Sequence, residues 1–313
     1  FNIERFGKIL EKADYRYLLP IPFLLVAEQL VRALKWRQFL FPLRPIGIWR
    51  LFRALMAGYL ANHIVPVRVS PLVRAWLVAR LEDLPVGTVL ATITLDRIVD
   101  GFVFIGFTVL ALAFVTFSDE TGRVYKGIAW GGVVAFTLFI VLAVTLSALR
   151  KKAAKGTVLP VFLSKRLPHR AVEASDEFLS LFAGGIVWPR QVWRRALIPF
   201  SSIAMKLFAI SHFIFTGLAF GVVLAPMQYV FIMVFLGFML VLAGLLRIAG
   251  SFTFGIVFVL QGFGVDTETA LAMALTAMML TSLTIVGTGA GALWLEGLSL
   301  DDLRKRPVSS AEQ

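Results

Sequence analysis

The sequence contains no cysteine, and this absence excludes disulfides, thiolate nucleophiles and cysteine-ligated metal sites. Histidine is also scarce: the 313 residues include only His63, His169 and His212, and their spacing matches no metal site. No serine lies in a nucleophile elbow. The chain therefore offers little for catalysis. We expect a protein that is not an enzyme and that uses no metal or other cofactor.

Acidic residues are few, with 19 Asp and Glu against 31 Lys and Arg, so the formal net charge is +12. Hydrophobic residues make up 58% of the chain, above the roughly 45–50% of soluble domains. Several apolar windows are long enough to cross a bilayer. Because the basic residues cluster between these windows, the expected partner is a membrane surface and not a nucleic acid. The sequence predicts an all-α polytopic membrane protein with about seven or eight membrane segments.

Two membrane segments are predicted to be broken or re-entrant, within a single integral membrane domain that covers residues 1–313. Pro66 and Pro71 interrupt the first segment, residues 51–84, and glycines interrupt the second, residues 247–264. A broken backbone at membrane depth persists only inside protein or beside water. We therefore expect the first segment to be a hairpin that enters from the cytoplasmic side. Such pairs of segments often frame the substrate site of a transporter.

The longest polar segment, residues 150–195, carries ten Lys or Arg against three acidic residues. The positive-inside rule predicts that this segment and the charged C-terminal tail are cytoplasmic. Residues 171–182 are predicted to form an amphipathic helix on the membrane surface. We expect an integral protein of a bacterial or archaeal plasma membrane.

Ionisable residues inside apolar spans are costly and by default indicate function. Asp96 and Asp100 share a face of the span predicted over residues 87–117, and Arg97 lies about 100° away on the same helix. Glu28 and Arg32 are four residues apart and can pair. We expect the polar residues to line a cavity inside the membrane domain. The predicted substrate-binding residues are Asn62, Arg68, Arg74, Asp96, Arg97, Asp100 and Arg247. Further residues predicted to line this cavity are Glu28, Arg32, His63, Lys206 and His212.

Arginine is the residue type that suits an anionic lipid, because guanidinium stays charged and binds phosphate through two parallel hydrogen bonds. We expect Arg68, Arg74 and Arg97 to guide a head group past Asn62. Asp96 and Asp100 would orient these arginines and compensate their charge when no lipid is bound. The structural alternative is that these ions only hold helices together.

Glycine patterns indicate close helix packing. Gly217 and Gly221 form a small-xxx-small pair, which is typical of helix contacts in membranes. The last span is glycine-rich around Gly287 and Gly291, and this leaves homo-oligomerisation open.

The polar motifs resemble the flippase-like membrane domain of the lysylphosphatidylglycerol synthase family. The resemblance is carried by Asn62, Pro66, Arg68 and Arg74, by Asp96, Arg97 and Asp100, and by Lys35-Trp36 at the end of the first span. The chain departs from the family pattern where a Gly-Glu pair is replaced by Ser70-Pro71. It departs again near Gly250, where many relatives carry a glutamate.

The resemblance implies movement of lipids, or of lipid-linked sugars, between leaflets. It does not imply aminoacyl transfer, which resides in a separate soluble domain of the two-part synthases. Two alternatives stay open. One is a membrane-embedded transferase that uses Asp96 or Asp100 as a base on a lipid phosphate, and the other is a subunit that presents lipid to a partner enzyme.

Overall fold

The computed structural model describes residues 2–64, 70–116, 122–123, 126–127, 130–134, 137, 141, 178, 181–182, 184–246 and 250–297. The regular structure of these residues is helical, without strands. A short 3₁₀ turn, Tyr15–Leu18, precedes the second helix. The helices are α1 Ile3–Lys12, α2 Pro20–Leu40, α3 Ile48–Ile64, α4 Ser70–Glu82, α5 Val86–Phe114, α6 Val192–Ala219, α7 Pro226–Leu246, α8 Ser251–Gln261 and α9 Thr267–Leu295.

Four helical stretches are long and apolar enough to cross a membrane: Tyr15–Leu40, Val86–Phe114, Val192–Ala219 and Thr267–Leu295. Each has 26 to 29 residues. At a rise of about 1.5 Å per residue, even the shortest exceeds the roughly 30 Å hydrocarbon core of a bilayer. The prediction of an all-α polytopic membrane protein is confirmed. The count of seven or eight segments stays a prediction.

The first broken segment forms two adjacent helices, as predicted. Helix α3 ends at Ile64 and α4 begins at Ser70, while residues 65–69 lie outside the described part of the chain. Pro71 lies in the first turn of α4, where a missing backbone N–H costs no helical hydrogen bond. The two helices approach closely at Gly58, because a Cβ added there would lie 3.0 Å from the backbone oxygen of Ser70. The hairpin therefore depends on a small residue at its contact.

The described part of the second broken segment, residues 250–264, contains the 11-residue helix α8, which lies between Gly250 and Gly264. This agrees with the predicted short, glycine-bounded segment. Arg247 lies outside the described residues, and so does Arg68. The same holds for most of the basic segment 150–195, including most of its predicted surface helix.

The chain divides into two compact units. Unit one comprises Phe1–Arg32, Gly101–Val134 and Phe200–Ala290, and unit two comprises Ala33–Asp100, Ala135–Pro199 and Gly291–Gln313. Helices α2, α5, α6 and α9 contribute residues to both units. The core of unit two is an apolar cluster around Trp36, Leu51 and Val73. The single domain expected from the sequence stays a prediction.

Gly217 and Gly221 do not act as the predicted pair on one helix face. A Cβ on Gly217 would lie 2.7 Å from the backbone oxygen of Val222 and 2.8 Å from the hydroxyl of Tyr229. Gly221 instead lies beyond the end of α6 with φ of 70°, a left-handed conformation that favours glycine. The backbone N–H of Val222 donates to the carbonyl of Gly217 at 2.8 Å and closes the helix end. The two glycines therefore build the α6–α7 turn.

Helix α1 is held by an ionic contact within unit one. Arg5 lies 3.2 Å from a carboxylate oxygen of Asp266 and 3.9 Å from one of Glu268. Asp266 also accepts from the backbone N–H of Thr269 and so caps α9. Partial burial acts to raise the pKa of Asp266, but the hydrogen bonds from Thr269 and the charge of Arg5 outweigh it and lower this pKa below its ordinary value.

This contact predicts an acid-sensitive attachment of α1. Because the pKa of Asp266 is lowered in the folded state, its stabilising contribution is present above the unfolded pKa. It is lost as the pH falls through the lower folded value. We expect Asp266→Asn to increase protease cleavage of α1 near neutral pH and to abolish its further increase in acid. Glu11→Gln, on the same helix and without a described ion pair, is the control. If cleavage of α1 rises equally in acid in Asp266→Asn and in the wild type, Asp266 does not cause the acid sensitivity.

Candidate functional site

The centre of the candidate site is Lys35, which lies in α2 and is completely buried. Its ammonium group lies 2.7 Å from a carboxylate oxygen of Asp96 and 2.5 Å from one of Asp100. It also donates to the backbone carbonyl of Asp96 at 3.3 Å. Asp96 and Asp100 are one turn apart on α5, so both carboxylates reach the same cation, as their predicted common face requires. All three residues belong to unit two.

Trp36, the next residue of α2, is buried beside this cluster and joins α2, α4 and α5. Its indole N–H donates to the hydroxyl of Thr92 on α5 at 3.0 Å. The guanidinium of Arg74, from α4, lies over the ring of Trp36 at 5.4 Å from the ring centroid. Arg74 is only 1% exposed. A guanidinium over an indole face gains cation–π stabilisation, which is larger when the pair is desolvated. One tryptophan therefore positions a second buried cation in the same unit as Lys35.

Asn62 acts within the α3–α4 hairpin. Its side-chain oxygen accepts a hydrogen bond from the backbone N–H of Ser70 at 2.8 Å. This bond satisfies one of the free N–H groups at the start of α4. His63 is exposed at the end of α3, and its ring lies 3.1 Å from the carbonyl of Tyr59. In the structure Asn62 caps a helix, and its predicted contact with lipid stays a prediction.

The structure corrects the predicted relation between the acidic residues and the arginines. Asp96 and Asp100 were expected to orient Arg97, but they hold Lys35, and Arg97 is exposed on another side of α5. The cause is helical geometry, since a residue next to Asp96 points about 100° away from it. Arg97 therefore lies apart from the cluster that contains its two acidic neighbours.

The predicted cavity residues of unit one make contacts of their own. Glu28 and Arg32 pair at 3.2 Å, which confirms the predicted contact one turn apart on α2. His212 on α6 lies beside the backbone of Leu24 and close to the charge of Glu28, and its Nε2 is buried without a hydrogen-bond partner among the described residues. This contact agrees with a packing histidine. Lys206 lies with its ammonium 5.2 Å from the ring centroid of Phe104.

Lys35, Asp96 and Asp100 form a buried cluster, the Lys35 cluster, in which positive and negative charges compensate each other. One cation against two carboxylates leaves a formal charge of −1 when all three groups are ionised. The ammonium group of Lys35 compensates part of the negative charge of both carboxylates through these close contacts. In the part of the chain that the structure describes, no three His, Asp or Glu side chains converge as a metal site would require.

Lys35 is the site residue that was not predicted from the sequence. It was identified as part of the Lys35-Trp36 motif at the end of the first span and not as a site residue. Two signals were available. Lys35 lies within an apolar span, and Asp96 and Asp100 on one helix face require a buried cation.

Comparisons with known proteins give one match to a family model. No curated protein and no solved structure matches the chain. The family model is described as the lysylphosphatidylglycerol synthase TM region, and it matches residues 1–289. This range includes the Lys35 cluster, Arg74 and the α3–α4 hairpin. The chain is an integral membrane protein that belongs to the lysylphosphatidylglycerol synthase TM region family, a family associated with lipid metabolism or transport.

Proposed function

We propose that this protein moves an anionic lipid head group between the two leaflets of the membrane. The observation that carries the proposal is that two cations of unit two, Lys35 and Arg74, are deeply buried. Lys35 is completely buried and Arg74 is 1% exposed, in a chain with four helices long and apolar enough to cross a membrane. Charges in such a setting are costly, and in membrane proteins they mark pathways for ionic substrates.

The two cations would play different parts. Arg74 is always charged and presents a planar guanidinium that suits two oxygens of one phosphate. Lys35 is a compact ammonium on a flexible stem, held by Asp96 and Asp100. An arriving phosphate can replace one carboxylate as the partner of Lys35, so that one anion is exchanged for another. The carboxylates keep the site compensated when no lipid is present.

We also propose a type of activity, a class of partner and a membrane location for this protein. The chain is a transporter without catalytic chemistry, and its partners are membrane lipids. Its setting is a bacterial or archaeal plasma membrane, with residues 150–195 and the C-terminal tail on the cytoplasmic side. The net charge of residues 150–195, ten basic against three acidic residues, supports this orientation. Mass spectrometry of lipids incubated with the protein would then show no new species, whereas a new lipid species would favour a transferase.

The test is lipid movement in proteoliposomes that contain fluorescent phosphatidylglycerol. Access of the label to a membrane-impermeant quencher is followed with time. We expect Arg74→Ala to lower the rate at least about tenfold, because a lost charged contact to phosphate is worth about 1.5–3 kcal/mol. Arg74→Lys should retain part of the rate, since it keeps the charge but loses the fork geometry.

The chain offers a matched control on the same helix. Arg80 lies over the ring of Trp76 at 5.5 Å, nearly the distance between Arg74 and Trp36, but Arg80 is exposed. Arg80→Ala should leave transport unchanged. Arg97→Ala is a second variant that tests the transport proposal. Because Arg97 is exposed, this change should affect lipid movement more than folding. If Arg74→Ala folds normally and moves lipid at the wild-type rate, the transport assignment fails.

A further inference from the structure

Arg194, in the first turn of α6, is a buried cation with neutral partners. It is 8% exposed. Its Nε donates to the side-chain oxygen of Gln191, and its Nη1 donates to that of Gln38 on α2 at 2.8 Å. Its guanidinium also lies over the rings of Phe41, at 3.4 Å, and Trp193, at 4.3 Å. These contacts fix the guanidinium but leave its charge unbalanced.

Other arginines increase this excess of positive charge. The charge of Arg37 on α2 acts on Arg194, and Arg37 itself donates to the backbone carbonyl of Ile46 at 2.9 Å. Arg195 is held by backbone carbonyls of Pro189 and Arg190. Within the described ranges, neither Arg37, Arg190, Arg194 nor Arg195 forms a salt bridge with a carboxylate. A buried cation is costly unless negative charge lies close to it, so an anion bound at this position would stabilise Arg194.

The position of the cluster indicates the source of that anion. Arg37 lies near the end of α2 and Arg194 at the start of α6, so both lie at the ends of helices that are long enough to cross the membrane. Trp188 and Trp193 are exposed beside them, and tryptophan is enriched at the membrane–water interface. The free N–H groups at the start of α6 also favour negative charge.

From this geometry we propose that Arg194 and Arg37 bind the phosphate of an anionic phospholipid at the membrane interface. The glutamines and aromatic rings hold Arg194 in place, and the phosphate supplies the missing negative charge. This site uses none of the residues assigned to head-group transport. The proposed site binds a lipid at the surface of the protein. This binding does not depend on whether the protein moves lipid.

The test is thermal unfolding of the full chain in detergent with three additives at matched concentrations. These are dioleoyl phosphatidylglycerol, dioleoyl phosphatidylcholine and inorganic phosphate. We expect phosphatidylglycerol to raise the unfolding midpoint and the other two to have little effect. Arg194→Gln should weaken the apparent affinity for phosphatidylglycerol about tenfold or more, the scale of one charged hydrogen bond.

Two variants protect this test against a folding defect. Arg37→Gln changes a half-buried residue and should weaken the affinity in the same direction if Arg194→Gln cannot be purified. Arg80→Gln removes an exposed arginine that also lies over a tryptophan, and it should respond like the wild type. Equal shifts with phosphatidylglycerol and phosphatidylcholine would overturn the proposal. A shift with inorganic phosphate equal to that with phosphatidylglycerol would overturn the proposal that the phosphate belongs to a lipid. An unchanged lipid response in Arg37→Gln would overturn the proposed site.

Discussion

Lys35→Ala is expected to lower the free energy of unfolding by about 3–5 kcal/mol, the cost of removing one partner from a buried ion pair. The change leaves the carboxylates of Asp96 and Asp100 together in the core of unit two without the ammonium group that now contacts both. Two like charges in a buried site repel each other, and each also loses its solvation. Chemical or thermal unfolding in detergent would measure this loss.

The chain provides a matched surface pair as a control. Lys8 and Glu4 on α1 lie 2.6 Å apart, close to the 2.7 Å between Lys35 and Asp96, but both side chains are largely exposed. Lys8→Ala should change stability little, because exposed pairs are screened by water. The triple variant Lys35→Met/Asp96→Asn/Asp100→Asn should regain part of the stability lost in Lys35→Ala. Equal stability of Lys35→Ala and Lys8→Ala would show that the buried ions do not hold the fold.

Gly185→Ala is expected to be the most disruptive single-methyl change, with a loss at or above the upper end of the usual 1–3 kcal/mol for overpacking. A Cβ there would lie 2.7 Å from the Cβ of Ala91, and closer still to the backbone oxygen of Thr88. Backbone atoms cannot move aside as a flexible side chain can. The hydroxyl of Thr88 also donates to the carbonyl of Leu181 at 2.9 Å, so the segment before α6 is fixed against α5.

The neighbouring glycine makes this prediction specific. A Cβ on Gly184 would meet nothing within 4 Å. Gly184→Ala should therefore leave the unfolding midpoint unchanged or raise it slightly, because alanine restricts the unfolded chain. Comparing the unfolding midpoints of the two alanine variants checks the prediction. A similar loss in both variants would mean that conformational freedom in this segment, and not the contact with Thr88, explains the effect.

Hydrophobic pattern and local chemistry predicted much of the fold. The span expected over residues 87–117 is α5, Val86–Phe114, because a long apolar run bounded by polar residues leaves little choice of boundary. The start of α4 at Ser70 agrees with Pro71, because proline suits the first turn of a helix. The Glu28–Arg32 pair, four residues apart on α2, is equally local. Such features depend on residues a few positions apart, so a sequence displays them directly.

The partners of the buried charges could not be predicted in the same way. Lys35 is separated from Asp96 and Asp100 by 61 and 65 residues, and its contact depends on how α2 packs against α5. The expectation that Arg97 would be oriented by its acidic neighbours failed because adjacent helical residues point apart. Arg74 was predicted as a site residue, but its contact with Trp36 required the packed fold. Charge type and the pairing of residues one turn apart, such as Glu28 and Arg32, were readable from the sequence, but pairing between different helices was not.

The length of α8 has a consequence for the thickness of the surrounding membrane. Eleven residues rise about 16 Å, roughly half of the hydrocarbon core. Phe254 faces outward from this helix, and the polar end at Gln261 is satisfied by a hydrogen bond to the hydroxyl of Thr267 at 2.7 Å. Local thinning of the bilayer, at a modest cost per ångström of mismatch, is one way in which lipid bordering so short a helix can match its length. Under the proposed function, such thinning would shorten the distance that a head group crosses in hydrocarbon.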